Sequence, residues 1–243
     1  FVRDVEKIIA AVPKQRPTLF FSASMPQDVV RLAGKILNGP LRVEVTPEST
    51  TVERIEQSVY FVKADEKRAL LADVLKNPAL SRVLVFAKTK HRANRVAEHL
   101  DKAGVSAEAI HGNKSQGARQ RALERFRSGQ ARVLVATDIA ARGIDVEHVS
   151  HVINYELPNV PESYVHRIGR TARAGASGIA FSFCDPSERA FLRDIEKLTK
   201  CRLTVIGETP ADNGARPAPR NHQAPRPHKK RRRNRPSRVR QAA

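Results

Sequence analysis

Arg132-Val133-Leu134-Val135-Ala136 is an unbroken apolar run led in by a cation and followed at once by Thr137-Asp138. A strand with one wet face alternates apolar and polar side chains. This run does not, so both of its faces must be covered, as in the middle of a parallel sheet with helices on either side. Arg82-Val83-Leu84-Val85-Phe86 repeats the pattern. Working outward from these two, the periodicity predicts strands near 57–63, 82–87, 106–110, 132–136, 150–155 and 178–184. Between them it predicts helices at 65–76, 90–103, 115–128, 161–168 and 187–199, with a short one near 139. Such alternation argues for an α/β domain built on a mostly parallel sheet.

Residues 1–45 read as a separate piece. A helix over residues 2–12 precedes the buried-type strand Thr18-Leu19-Phe20-Phe21, then Ser22-Ala23-Ser24, a helix over residues 27–38, and a strand at Leu41-Arg42-Val43-Glu44-Val45. Two strands and one crossover helix cannot cover both faces of a sheet, so this piece is expected to close a domain whose other strands lie elsewhere. The chain opens at Phe1, without an initiator Met and inside a helical pattern, which reads as a fragment. The polar, Pro-containing stretch 46–54 is expected to be an interdomain linker and the main domain to run from 55 to 208. Residues 209–243, rich in Arg and Pro with some Asn and Gln, are expected to form a disordered basic tail.

The 243 residues, 40% of them hydrophobic, suffice for a core, and the formal net charge is +19. Eleven Lys and Arg and no acid fall in residues 216–243, among them Lys229-Lys230-Arg231-Arg232-Arg233. Without interleaved aromatics, such a block favours electrostatic contact with a polyanion over base stacking. Nucleic acid precedes a membrane surface as partner, because no amphipathic or apolar anchor accompanies the charge and no run of about 18 apolar residues occurs. The two cysteines, Cys184 and Cys201, have neither metal-ligand spacing nor a disulfide framework, so no bound metal is expected and a reducing cytoplasm is.

His166-Arg167-Ile168-Gly169-Arg170-Thr171-Ala172-Arg173-Ala174-Gly175 carries the sharpest local signal. In a helix, Arg167, Arg170 and Arg173 recur at three-residue steps and form one cationic stripe. No acid occurs between Glu162 and Asp185 to neutralise them, and guanidinium forks suit phosphate oxygens, so the counter-anion is expected to be a ligand. The rival reading is a solvated basic helix face. Gly169 and Gly175 weigh against it, since Gly costs about 1 kcal/mol in a helix interior and is better explained by a close backbone approach. In open parallel sheets ligands also gather beyond the carboxyl ends of strands, which points to Lys88-Thr89-Lys90, His111-Gly112 and Thr137-Asp138.

Taken in order, these segments resemble the C-terminal part of a DEAD-box RNA helicase over roughly residues 1–208. Ser22-Ala23-Ser24 resembles the family's Ser-Ala-Thr element, Val85-Phe86-Ala87-Lys88-Thr89-Lys90 its fourth motif and Gln116-Gly117-Ala118-Arg119 its Gln-x-x-Arg element. Ala136-Thr137-Asp138-Ile139-Ala140-Ala141-Arg142-Gly143-Ile144-Asp145-Val146 resembles the fifth motif, and residues 166–175 the sixth. The basic tail and Pro158-Asn159-Val160-Pro161 are similar to bacterial RhlE-like members.

The resemblance implies two RecA-like domains that clamp ATP with Mg²⁺, the present chain holding the second and the end of the first. Arg170 and Arg173 match positions that neutralise charge on the transferring phosphoryl group, and Arg167 one that pairs with acidic groups of the first domain. His166 matches a residue coupled to the Ser22 and Ser24 hydroxyls, and Asp145 the carboxylate on the ATP ribose. Gln116 and Arg142 match residues of interdomain coupling. Thr89, Arg119 and Thr137 match positions that hold RNA by its backbone without reading bases. On local grounds alone, Thr89 and Thr137 are better read as helix N-caps and Arg119 as a surface helix residue.

The chain departs from the family in carrying Ser24 where Thr is usual and Ala172 where Gly is usual. It also contains no Gly-x-x-x-x-Gly-Lys-Ser/Thr and no Asp-Glu-Ala-Asp. The resemblance places the phosphate loop and Mg²⁺ ligands upstream of Phe1, so this chain alone is expected not to hydrolyse ATP. The complete protein is expected to be an ATP-dependent RNA helicase that couples hydrolysis to local duplex unwinding. RNA is its expected partner, with ribosomal or RNA-degradation machinery as the protein partners the resemblance leaves room for. The alternatives are a non-catalytic RNA-binding or annealing module and a DNA translocase of the wider helicase superfamily.

Overall fold

Val83–Phe86 and Val133–Ala136, the two apolar runs, are paired parallel strands in register Val83 to Val133 through Phe86 to Ala136. Val83, Val85, Val133 and Val135 enter one core with Leu71, Val96 and Leu100, while Leu84, Phe86, Leu134 and Ala136 enter another with Ala122 and Phe126. Alternate side chains point to opposite faces of a strand, and both faces here carry helices, which is why the run is continuously apolar.

The computed structural model describes residues 2–22, 25–44, 54–141, 146, 149–172 and 177–208. The chain divides into two units, Phe1–Glu48 and Ser49–Ala243. The smaller unit holds α1 (Val2–Ala11) and α2 (Gln27–Ile36), bridged by Lys35 Nζ and Glu6 Oε1 at 2.9 Å. The larger unit begins β1 (Ile55–Phe61), α3 (Lys67–Val74), β2 (Val83–Phe86), α4 (Lys90–Lys102), β3 (Ala107–Ile110), α5 (Gln116–Arg127) and β4 (Val133–Ala136). It continues with α6 (Asp138–Ala141), β5 (His151–Asn154), α7 (Pro161–Ile168), β6 (Gly178–Cys184), a 3₁₀ turn (Pro186–Glu188), α8 (Arg189–Thr199) and β7 (Thr204–Ile206).

The strands form one sheet in the order β3-β4-β2-β5-β6-β1-β7, parallel at every described pairing. α3 and α4 pack on one face. α5, with α7 and α8 beyond it, covers the other, since Val152 and its register partner Ala180 both point there. From β1 the chain runs through β2 to the edge strand β3 and returns through β4, β5 and β6 to β7. The connections leaving the adjacent strands β2 and β5 therefore depart in opposite directions, to α4 on one face and α7 on the other, and that pair marks the reversal point.

The structure departs from the sequence reading in definite places. Neither 18–21 nor 41–44 forms a strand, and Leu19 and Phe21 are 81% and 87% exposed, Leu41 and Val43 91% and 78%. A strand is held by its ladder, and among the described residues of this unit these runs have no partner strand. Val45 and the linker up to residue 53 lie outside the described residues, as do residues 209–243. β7 was not expected: three residues, two of them exposed, give too little apolar pattern to mark an edge strand. The helix over 187–199 starts as a 3₁₀ turn because Asp185 and Glu188 form a reciprocal capping box around Pro186.

Candidate functional site

β3, β4 and β2 end level, with Ile110 and Phe86 both in register with Ala136, so the residues that follow them emerge side by side. These are His111, Thr137 and Lys88-Thr89. Thr89 is the N-cap of α4, its Oγ1 accepting from Arg92 N at 3.2 Å, a role that leaves the hydroxyl hydrogen able to donate. Thr137 is half-buried at the mouth of α6, its carbonyl accepting from Ala141 N at 2.9 Å. Gln116 is exposed in the first turn of α5, and Arg119 Nη1 reaches its Oε1 at 3.5 Å. Arg119 Nε is buried and, among the described residues, has no hydrogen-bond partner.

The Glu156 carboxylate approaches the positive end of α4 from just beyond β5, accepting from Lys88 N at 2.9 Å and lying 3.6 Å from Arg92 Nε, but neither α4 nor α5 has an acid in its own first turn. His111 beside them is buried, with Nε2 at 2.8 Å from Asn94 Oδ1 and Nδ1 accepting from Asn113 N at 3.3 Å, which places its proton on Nε2. Burial, then Lys114, Lys90 and His91, hold its pKa below the usual histidine value, so it stands neutral.

Arg167 is the largest departure from expectation. It is 2% exposed, and its Nε and Nη2 donate to Asp138 Oδ1 and Oδ2 at 2.6 and 2.8 Å. Nη1 donates to Asn154 Oδ1 at 3.2 Å and to the Glu156 carbonyl at 2.7 Å, and the guanidinium lies 5.0 Å from the Phe86 ring centroid. Its fork is therefore filled from within its own domain, by groups at the carboxyl ends of β4, β2 and β5. The reversal point of a parallel sheet, where a ligand would be looked for, is plugged by this side chain. That corrects two expectations: Arg167 is not turned toward acids of another domain, and the counter-anion missing from its neighbourhood in sequence is Asp138.

The single cationic stripe is also corrected, because α7 stops at Ile168 with Gly169 as its C-cap, and Arg170 lies in the turn beyond. Arg170 is half-buried and its Nε donates to the His166 carbonyl at 3.2 Å. His166 is exposed on the last turn of α7. The turn is clamped by Thr171, whose buried hydroxyl donates to the Val149 carbonyl at 2.6 Å, just before β5. Arg170 is thus carried to the amino ends of β5 and β6, away from the edge where Thr89 and Thr137 emerge. Ala172 has φ +55, a left-handed conformation that costs a residue with a Cβ about 1 kcal/mol or more. A glycine there is free of that cost.

Gly178, which opens β6, backs directly onto this turn: a Cβ built on it would lie 2.5 Å from Thr171 Cγ2 and 2.9 Å from Ala172 N. The second of these is main chain and cannot swing aside. Gly178→Ala is expected to lower stability by about 1–3 kcal/mol, the usual cost of overpacking, and to displace the arginine turn. A urea midpoint equal to that of the unaltered chain would show that the clamp is not tight.

Arg142, Asp145, Arg173 and Ser24 lie outside the described residues, as do Lys229, Lys230, Arg231, Arg232 and Arg233. Ser22 is exposed in the smaller unit. Cys184 is buried, which pushes its thiol up to about 12 and leaves it an inert packing group. Among the described residues no cluster of His, Cys, Asp or Glu could hold a metal ion, and no helix is long and apolar enough to cross a membrane.

Residues 66–175 match the family described as helicase conserved C-terminal domain. The Escherichia coli DEAD-box protein SrmB, solved bound to the regulator of ribonuclease activity A, is 37% identical and superposes with a TM-score of 0.61, over 63% of this chain and 91% of that one. The chain belongs to the DEAD-box helicase family. The parallel sheet described above is accordingly the RecA-like fold of the DEAD-box helicase C-terminal domain. Another DEAD-box structure, Saccharomyces cerevisiae Dbp5 bound to RNA and ADP BeF3, is 30% identical with a TM-score of 0.71, over 84% of this chain and 54% of that one. The DEAD-box ATP-dependent RNA helicase CshA of Bacillus subtilis is 42% identical over 212 residues, or 87% of this chain. The chain spans 43% of that relative's length.

Proposed function

We propose that this chain is the RNA-gripping and phosphate-neutralising half of an ATP-dependent RNA helicase, in which ATP hydrolysis is coupled to local opening of RNA duplexes. The observation that carries the reading is the edge formed by Thr89, Thr137 and Arg119: hydroxyls, the N-termini of α4 and α5 with no acid in their own first turns, and a guanidinium on the first turn of α5. Each is a donor suited to phosphate or sugar oxygens and none selects a base, so the RNA is bound without regard to sequence. The basic tail adds salt-sensitive affinity for the same polyanion. Arg119→Ala is expected to weaken RNA binding about tenfold and to reduce the slope of log affinity against log salt by about one. An unchanged slope would place Arg119 off the RNA path.

On the ATP side, Arg170 fits a triphosphate: it is cationic, half-exposed, and held on a clamped turn. Arg173 is proposed as its companion, Asp145 as the acceptor for ribose hydroxyls, and His166, Gln116, Arg142, Ser22 and Ser24 as the groups that sense closure. ATP bound with Mg²⁺ would supply the scissile phosphoanhydride. No phosphate loop or Asp-Glu-Ala-Asp occurs in these 243 residues, so hydrolysis is proposed for the complete protein and not for this chain alone. The domain bounds read from the sequence, the RhlE-like subgroup, a cytoplasmic location and partners in ribosomal or RNA-degradation machinery belong to the same proposal. They are supported by the tail's composition and by the cysteine usage.

A further inference from the structure

Four charged side chains meet beside the carboxyl ends of β2, β5 and β6. Lys67, at the start of α3, is 1% exposed and Glu188, at the end of the 3₁₀ turn, 4%. Lys67 Nζ donates to Glu188 Oε2, to Asp185 Oδ2 at 3.1 Å and to the Phe183 carbonyl at 3.2 Å, which uses all three of its hydrogens. Glu188 also accepts through Oε1 from Leu157 N at 3.1 Å and Lys88 Nζ at 3.3 Å, and through Oε2 from Asp185 N at 3.4 Å. Each of its oxygens has two donors. Two ammonium groups face two carboxylates, so the charges cancel.

Stability does not explain such a knot, because apolar residues of equal volume commonly replace buried ion pairs at no loss. What the knot supplies is fixed spacing. Glu188 ties together the loop after β2 through Lys88, the loop after β5 through Leu157, and α3 through Lys67. Glu156 adds a second tie by accepting from Lys88 N at 2.9 Å. Lys88 is thereby held at its main chain and at its ammonium, which also sits 4.7 Å from the Phe191 ring centroid. The next residue is Thr89.

We infer that Glu188 is a positioning residue for RNA binding. Anchored by Lys67, it tethers Lys88 and so sets Thr89 and the first turn of α4 at the spacing from Thr137 and Arg119 that one RNA backbone requires. The inference rests on the RNA reading of that edge. It makes Lys88 a tether and not a phosphate ligand, since its charge is matched inside the domain.

The test is binding of labelled single-stranded oligouridine to the 243-residue chain, followed by anisotropy across a salt series, with thermal midpoints measured alongside. Lys88→Met leaves the Lys67–Glu188–Asp185 knot intact. It is expected to keep the midpoint, to lower affinity about tenfold, and to leave the salt slope unchanged, because no cation that meets a phosphate is lost. Lys88→Arg, which keeps a cation against Glu188, is expected to restore affinity. Glu188→Gln is expected to lower affinity in the same way at a temperature where it is folded. Unaltered affinity in Lys88→Met overturns the inference, and so does a slope shallower by about one, which would make Lys88 a phosphate ligand. Failure of the unaltered chain to bind RNA would instead overturn the RNA reading itself, before any variant is compared.

Discussion

Replacing Arg170 by Ala in the complete protein is expected to lower RNA-stimulated ATP turnover by a factor of about 10³ or more, with RNA affinity kept within about twofold. The size follows from the chemistry. Phosphoryl transfer spreads negative charge over the equatorial oxygens, and a guanidinium supplied to them in a dry site is worth about 10³–10⁵ in rate. The structure supports that use of Arg170 and not of Arg167. Arg170 stands on a turn whose main chain is fixed by the Thr171 hydroxyl and backed by Gly178, so its charge is presented from a rigid base. Retention of RNA affinity follows from position, since Arg170 sits at the amino ends of β5 and β6 and Thr89 and Thr137 at the carboxyl ends of β2 and β4. Arg170→Lys is expected to rescue little, because a point charge does not reproduce a planar fork. Turnover within about tenfold of the unaltered protein, with RNA binding intact, would remove Arg170 from the phosphoryl site.

What the sequence showed and what it hid divide along the range of the interactions. The central strands were legible because burial on both faces writes itself into consecutive residues, and α7 and β6 were placed at their observed limits. Pro161 at the first helical position and Gly169 at the C-cap mark one, and Gly178 marks the start of the other. The partners of Arg167 were not legible: Asp138 opens α6 just after β4 and Asn154 ends β5, and only the sheet order brings them under α7. A search for an acid nearby in sequence therefore finds none for Arg167 and assigns its anion to a ligand, although Asp138 supplies it. Lys67 and Glu188, 121 residues apart, were hidden for the same reason. Gly178 carried a usable signal, a glycine opening an apolar strand directly after the arginine segment, but its meaning needed the position of Thr171. In the smaller unit the apolar runs were read as strands because composition reports a preference for pairing, whereas the strand itself requires a partner.

The buried position of Arg167 sets the second large effect, which is on stability and not on catalysis. Asp138→Ala would leave a guanidinium that is 2% exposed with no carboxylate against it. Removing one partner of a fully buried pair costs about 3–5 kcal/mol, and because the Asp138 side chain is 38% exposed, solvent screening brings the expectation down to about 2–3 kcal/mol. For a chain of this size that is a fall of about 4–12 °C in thermal midpoint. Arg167→Met is expected to cost less, about 1–2 kcal/mol. The apolar stem can still pack on Phe86, Asp138 is exposed enough to be hydrated, and the losses are the bonds to Asn154 Oδ1 and the Glu156 carbonyl. The double variant Asp138→Ala/Arg167→Met is therefore expected to be more stable than Asp138→Ala alone, a sign that no additive account allows. Urea midpoints at constant m-value decide it. If Asp138→Ala shifts stability by less than about 0.5 kcal/mol, Arg167 finds other partners at the end of β4, and the plug at the reversal point of the sheet is looser than its geometry implies.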